Sequence, residues 1–126
     1  MRKKYDIELE GQRIGQTEFE FADPPMGVIY GKLNFIDFES PYKLIKEYCL
    51  QNDIEINTDY PEDKFINTSI IPELKIFDLN KNVIKGDGAH IIGLEKNGFE
   101  IHVLGINSNL MKTEFRHHYI DYYKTD

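Results

Sequence analysis

Ala89-His90-Ile91-Ile92-Gly93-Leu94-Glu95-Lys96-Asn97-Gly98-Phe99-Glu100-Ile101-His102-Val103-Leu104 is a pair of apolar runs joined at an Asn-Gly dipeptide. Asn-Gly favours a two-residue type I′ turn, because both central residues need positive φ. That turn predicts a β-hairpin in which Lys96 faces Phe99, Leu94 faces Ile101 and Ile92 faces Val103 on a core side. Glu95 with Glu100, Gly93 with His102 and Ile91 with Leu104 then share a half-polar second side. In this register His90 and His102 lie on opposite faces.

Working outward, Tyr5 to Ile14 alternates apolar and polar residues around Glu10-Gly11 and predicts a second hairpin. Its expected pairs are Leu9 with Gln12, Glu8 with Arg13 and Ile7 with Ile14. Phe19 and Phe21 then require a change of inward parity, which a bulge near Gly15 supplies. Asp23-Pro24-Pro25-Met26-Gly27 stops a strand and reads as a corner with Met26 buried, or alternatively as a rigid turn presenting Met26. A strand resumes at Val28 and runs through Leu33.

Ser40 as N-cap, Pro41 at the first helical position and Leu44, Ile45 and Tyr48 on one face predict a helix over about 41–51. Losing the cap should cost roughly 1 kcal/mol. Phe65–Ile71, Leu74–Leu79 and Val83-Ile84 are strand candidates, and Gly86-Asp87-Gly88 is a loop. Ser108 caps a short C-terminal helix in which Met111, Phe115 and Tyr119 recur at i, i+4. The whole predicts an α+β fold: a predominantly antiparallel sheet of about six to eight strands packed on one main helix.

With 126 residues, residues 1–126 are read as one domain, and sixteen aromatics supply bulk for its core. No apolar stretch follows Met1-Arg2-Lys3-Lys4, so neither a signal peptide nor a membrane span is expected. A lone Cys49 forms no internal disulfide, which points to a reducing cytoplasm. Fifteen Lys plus Arg against twenty-two Asp plus Glu leave a net charge of −7, which opposes nucleic acid and anionic lipid as partners.

Motifs for chemistry are sparse. His117 and His118 are adjacent and diverge on either a helix or a strand, no zinc or calcium spacing accompanies them, and no metal or other cofactor is expected. The three serines include no nucleophile elbow, and Cys49 sits near the C-terminal end of the helix, where the dipole disfavours a thiolate. On the second side of the predicted hairpin, Glu100 lies two residues from His102, and with His90 these are the candidate polar groups of a small-ligand or enzymatic site.

The strongest local signal is charge. Glu47, Asp53, Glu55, Asp59, Glu62 and Asp63 fall within 47–63 with no Lys or Arg among them, and Thr58 to Asp63 reads as a turn-rich surface loop. Carboxylates gathered with tyrosines suit a cationic protein surface, so Asp53, Glu55, Asp59, Tyr60, Glu62 and Asp63 are the candidate partner-binding residues. In size, acidity and lack of catalytic motif the chain resembles the immunity proteins that neutralise bacterial nuclease toxins. The resemblance, one of size and charge, implies a basic toxin as partner and occlusion of its phosphate-binding groove as mechanism. A subunit that only scaffolds would instead expose an apolar patch or a sheet edge without an acidic focus.

Overall fold

The computed structural model describes residues 3–124; Met1, Arg2, Thr125 and Asp126 lie outside the described residues. Nine strands and three α-helices are present among them: β1 Tyr5–Leu9, β2 Gln12–Thr17, β3 Phe21–Asp23, β4 Val28–Phe35, α1 Pro41–Gln51, β5 Ile56–Tyr60, β6 Phe65–Thr68, β7 Leu74–Asp78, β8 Gly88–Leu94, β9 Gly98–Leu104, α2 Ser108–Thr113 and α3 Arg116–Tyr122. Every strand pairing is antiparallel, in the order β5-β6-β8-β9-β4-β2-β1-β7, with β3 alongside β4. This is the expected α+β class, with one strand more than the upper expectation. β7, at one end of the order, touches β8 near the other, so the sheet curls around a single buried cluster that includes Ile7, Ile29, Ile45, Ile91, Ile101 and Phe115.

The first hairpin turns where the alternation places it, at Glu10 (φ 52°) and Gly11 (φ 82°), the two positive values of a type I′ turn. Leu9 faces Gln12 and Glu8 faces Arg13, but Ile7 faces Gly15 rather than Ile14. Ile14 is therefore the extra residue of the bulge expected near Gly15, and both Ile14 and Gly15 are buried. A second irregularity follows. Phe19 is buried in the left-handed region (φ 46°), its N–H held by Thr17 Oγ1 at 3.2 Å, and the reversal turns Phe21 outward, 51% exposed, against its expected inward place. Gly31 on β4 makes this possible, since a Cβ there would stand 2.8 Å from Phe19 Cα. Glu20 then supplies a carboxylate oxygen to the Lys32 N–H at 3.1 Å where the ladder is interrupted.

The second hairpin departs from expectation. His90 faces His102, Ile91 faces Ile101 and Ala89 faces Val103, three residues away from the type I′ register. The loop is Glu95–Asn97, closed by Asn97 N–H to the Leu94 carbonyl at 3.2 Å; Gly98 has positive φ, at 102°, and Asn97 does not. An odd slip exchanges the faces of one strand. Phe99, Ile101 and Val103 remain in the core as expected, but on β8 the core residues are Ala89 and Ile91 rather than Ile92 and Leu94.

α1 begins as read. Ser40 Oγ accepts from Lys43 N–H at 3.2 Å with Pro41 in the first turn, while the buried stripe is Tyr42, Ile45 and Cys49, with Leu44 and Tyr48 half-buried beside it. Burial pushes the Cys49 thiol up to about 11, so it packs as a neutral core residue. At the C-terminus Asn107, not Ser108, is the cap, its Oδ1 accepting from Leu110 N–H at 2.8 Å. The helical stretch breaks at Phe115 into α2 and α3, with Met111 and Phe115 buried. Met26 stands 71% exposed after a short 3-10 turn over Pro24–Met26, contrary to the buried corner.

Replacing Ser40 tests the helix start. Ser40→Ala should lower stability by about 1–2 kcal/mol, read as a fall in the urea midpoint with the far-ultraviolet spectrum intact. A shift no larger than that of the exposed Lys43→Ala would show that the hydroxyl is not a cap.

Candidate functional site

The acidic run does not form one loop. Thr58, Asp59 and Tyr60, expected in a surface loop, belong to β5, because Ile56, Thr58, Asp59 and Tyr60 pair with Thr68, Asn67, Ile66 and Phe65 of β6. Successive strand residues face opposite ways, and this separates the candidates. Asp59 faces α1, where its carboxylate accepts from Tyr42 Oη at 2.5 Å and pairs with Lys46 Nζ at 2.9 Å. Burial opposes its ionisation, but the bonds from Lys46 and Tyr42 outweigh burial and hold it below the usual carboxylate range. Lys46 is raised chiefly by its bond to Asp59. Asp59 is thus a structural anchor of the helix.

Tyr60 faces away from α1, 57% exposed, with its ring 5.7 Å from that of Phe65. Asp53 and Glu55 lie between α1 and β5, and Glu62 and Asp63 lie in the β5–β6 turn, all exposed. Among the described residues no ion pair or hydrogen bond engages these four carboxylates. The nearest cations in sequence turn elsewhere: Lys46 to Asp59, and Lys64 to Glu95 at 3.3 Å. β5 is an outer strand, so the free carboxylates form two pairs at its ends rather than one cluster.

The slipped hairpin brings His90 and His102 together on the sheet face away from the core. Their rings are 5.1 Å apart at 27°, Tyr30 stacks on His102 at 4.7 Å and 11°, and Phe21 stacks on Tyr30 at 5.3 Å. His102 Nε2 donates to Glu100 Oε1 at 3.0 Å. All three candidate ligand residues therefore converge, where the sequence reading had separated His90. His90 Nδ1 and Asn67 Oδ1 are buried and have no hydrogen-bond partner among the described residues. Desolvation, with His102 adding to it, lowers the His90 pKa. Neither Tyr30 nor Asn67 is expected beside these histidines from the sequence, and only the correct strand register would have placed them there.

The surroundings limit what this arrangement can do. Concavities of about 700 Å³ by Lys3, Asp78 and Glu114 and about 430 Å³ by Met26, Tyr119 and Tyr123 are lined by neither histidine. Glu100 borders a hollow of about 540 Å³, shared with Glu20, Phe21 and Lys32. Among the described residues no group of three or more His, Cys, Asp or Glu side chains is arranged to hold a metal ion. His118 Nε2 is taken by the Phe19 carbonyl at 2.6 Å. No helix among these residues is long and apolar enough to cross a membrane.

Comparison with protein-family models, curated proteins and solved structures finds no match to the chain.

His90 gives the site a pH signature. Its pKa in the fold lies below the roughly 6.5 of an unfolded histidine, so the unfolded chain takes up the proton first. Stability from this group is complete above about pH 6.5 and is lost as pH falls. His90→Phe keeps a ring in the stack and removes the titration; its melting temperature should fall less than the native chain's between about pH 7.5 and pH 5.5. Equal losses would show that His90 is not the source of the pH dependence.

Proposed function

We propose that the chain is an acidic protein-binding module that neutralises a basic partner in a reducing cytoplasm. The partner class that its size and charge fit is a bacterial nuclease toxin, whose groove for nucleic-acid phosphates would be occluded. The observation that carries the reading is the division of charge around β5. Asp59 is spent on Lys46 and Tyr42, while Asp53, Glu55, Glu62 and Asp63 remain exposed and uncompensated at the ends of the strand, with Tyr60 beside them.

Carboxylates so placed compete with phosphates for the same Lys and Arg side chains and steer a cationic surface into register. An exposed tyrosine adds apolar contact area at small entropic cost. Asp59, first grouped with these residues, acts from behind by holding β5 against α1. A second reading, a small polar ligand held by His90, Glu100 and His102, draws on the unpaired His90 Nδ1 and Asn67 Oδ1. The concavities by Lys3, by Met26 and by Glu100 are lined by neither histidine, whereas small-ligand sites are ordinarily enclosed.

The test is capture at low salt with the native chain and with a variant carrying Asp53→Asn, Glu55→Gln, Glu62→Gln and Asp63→Asn. The native chain should retain a basic protein whose nuclease activity falls when the chain is added. The variant should bind at least about tenfold more weakly, as should the native chain at about 1 M salt, where the Debye length is near 3 Å. A nuclease inhibited equally by both chains would overturn the acidic mechanism.

A further inference from the structure

Apart from the three-residue β3, which pairs only with β4, the sheet has two outer strands, and they are treated differently. Beyond β7 the chain returns on itself: Phe77 bridges Val83, Ile84 N–H donates to the Ile76 carbonyl at 2.9 Å and Asp78 N–H to the Asn82 carbonyl at 2.9 Å. That edge is closed over residues 76–78. β5 pairs only with β6, and among the described residues nothing pairs with its other side. An uncovered edge carries a row of backbone N–H and C=O groups that accept a further strand.

Charge decides what kind of strand. Asp53 and Glu55 stand before β5, Glu62 and Asp63 stand after it, and no Lys or Arg occurs between 47 and 63. At a strand rise of about 3.3 Å per residue β5 itself spans roughly 17 Å, and the two acidic pairs lie just beyond its ends, within reach of one extended segment of about nine residues. A second copy of this chain would bring acids against acids across the new pairing, which disfavours it. A basic segment would meet opposite charge at both ends. Tyr60, exposed beside Phe65, offers apolar surface to alternate side chains of the added strand. Lys46 and Tyr42 already hold β5 through Asp59, so the edge is ordered before binding.

We infer that the partner docks by adding an extended basic segment to the free edge of β5, with cationic side chains near both ends meeting Asp53 and Glu55 on one side and Glu62 and Asp63 on the other. The inference rests on the acidic-module reading and names its mode of contact.

The probe is a blocked peptide of about nine residues alternating lysine and valine, compared with the same peptide N-methylated at two adjacent central residues. N-methylation leaves the charge unchanged but prevents either peptide edge from pairing continuously. Binding is read by fluorescence anisotropy at about 50 mM salt, and amide hydrogen exchange by NMR locates it. The plain peptide should bind and slow exchange in residues 56–60 at least about tenfold. The N-methylated peptide should bind at least about tenfold more weakly, and so should the plain peptide to the four-fold amide variant. If both peptides bind equally and β5 exchange is unchanged, strand addition is overturned while the acidic module stands. If the native chain binds neither peptide better than the amide variant does, both readings fail.

Discussion

The carboxylate of Glu95 ties three parts of the molecule together. One oxygen accepts from Ser40 Oγ at 2.5 Å and Tyr42 N–H at 3.3 Å, at the first turn of α1, and the other pairs with Lys64 of the β5–β6 turn at 3.3 Å. Burial opposes its charge, but the bonds from Ser40, Lys64 and the Tyr42 N–H outweigh burial, so it stays ionised below the usual carboxylate range. A negative charge at a helix N-terminus also interacts favourably with the helix dipole. Glu95 lies in the loop of the β8–β9 hairpin, so this tie favours a three-residue connection and thereby the register of the strands behind it. From that register follow the burial of Ala89 and Ile91 and the meeting of His90 with His102.

This explains what the sequence makes legible and what it does not. Helix α1 is written locally, in Ser40-Pro41 and in the spacing of its apolar residues, and the first hairpin in the Glu10-Gly11 turn. The second hairpin is equally visible as a pair of strands, but its register is not a local property. Asn97-Gly98 expresses a turn preference worth little against the burial of Ala89 and Ile91 and the anchoring of Glu95 more than fifty residues from Ser40. The same limit applies to the acidic run. Sequence proximity groups Asp59 with Tyr60, whereas a strand's period of two sends them to opposite faces, one to Lys46 and the other to solvent.

The rings of Phe21, Tyr30, His102 and His90 are spaced at 5.3, 4.7 and 5.1 Å, close to the 4.7–4.9 Å between neighbouring strands. Each sits directly across from the next in β3, β4, β9 and β8. The ladder is therefore set by register, with the rings covering one another. Aromatic platforms for single-stranded nucleic acid work the other way, laying ring faces open for bases to stack upon.

An open sheet edge is ordinarily a hazard, because identical chains can pair along it. At β7 the fold removes the hazard with backbone, by returning residues 82–84 along the strand. At β5 it leaves the backbone groups unpaired and places acids beyond both ends. The two solutions differ in what they exclude. A covering segment excludes every strand alike, whereas flanking carboxylates exclude by charge: they repel a copy of the same chain and attract a cationic one. Lys46 and Lys64 are the residues best placed in sequence to neutralise those acids, yet the fold commits both to inward anchors, Asp59 and Glu95. The ion pairs that position α1 and the hairpin tip therefore also leave the β5 edge negative, which links the packing of the fold to the selectivity of its exposed edge.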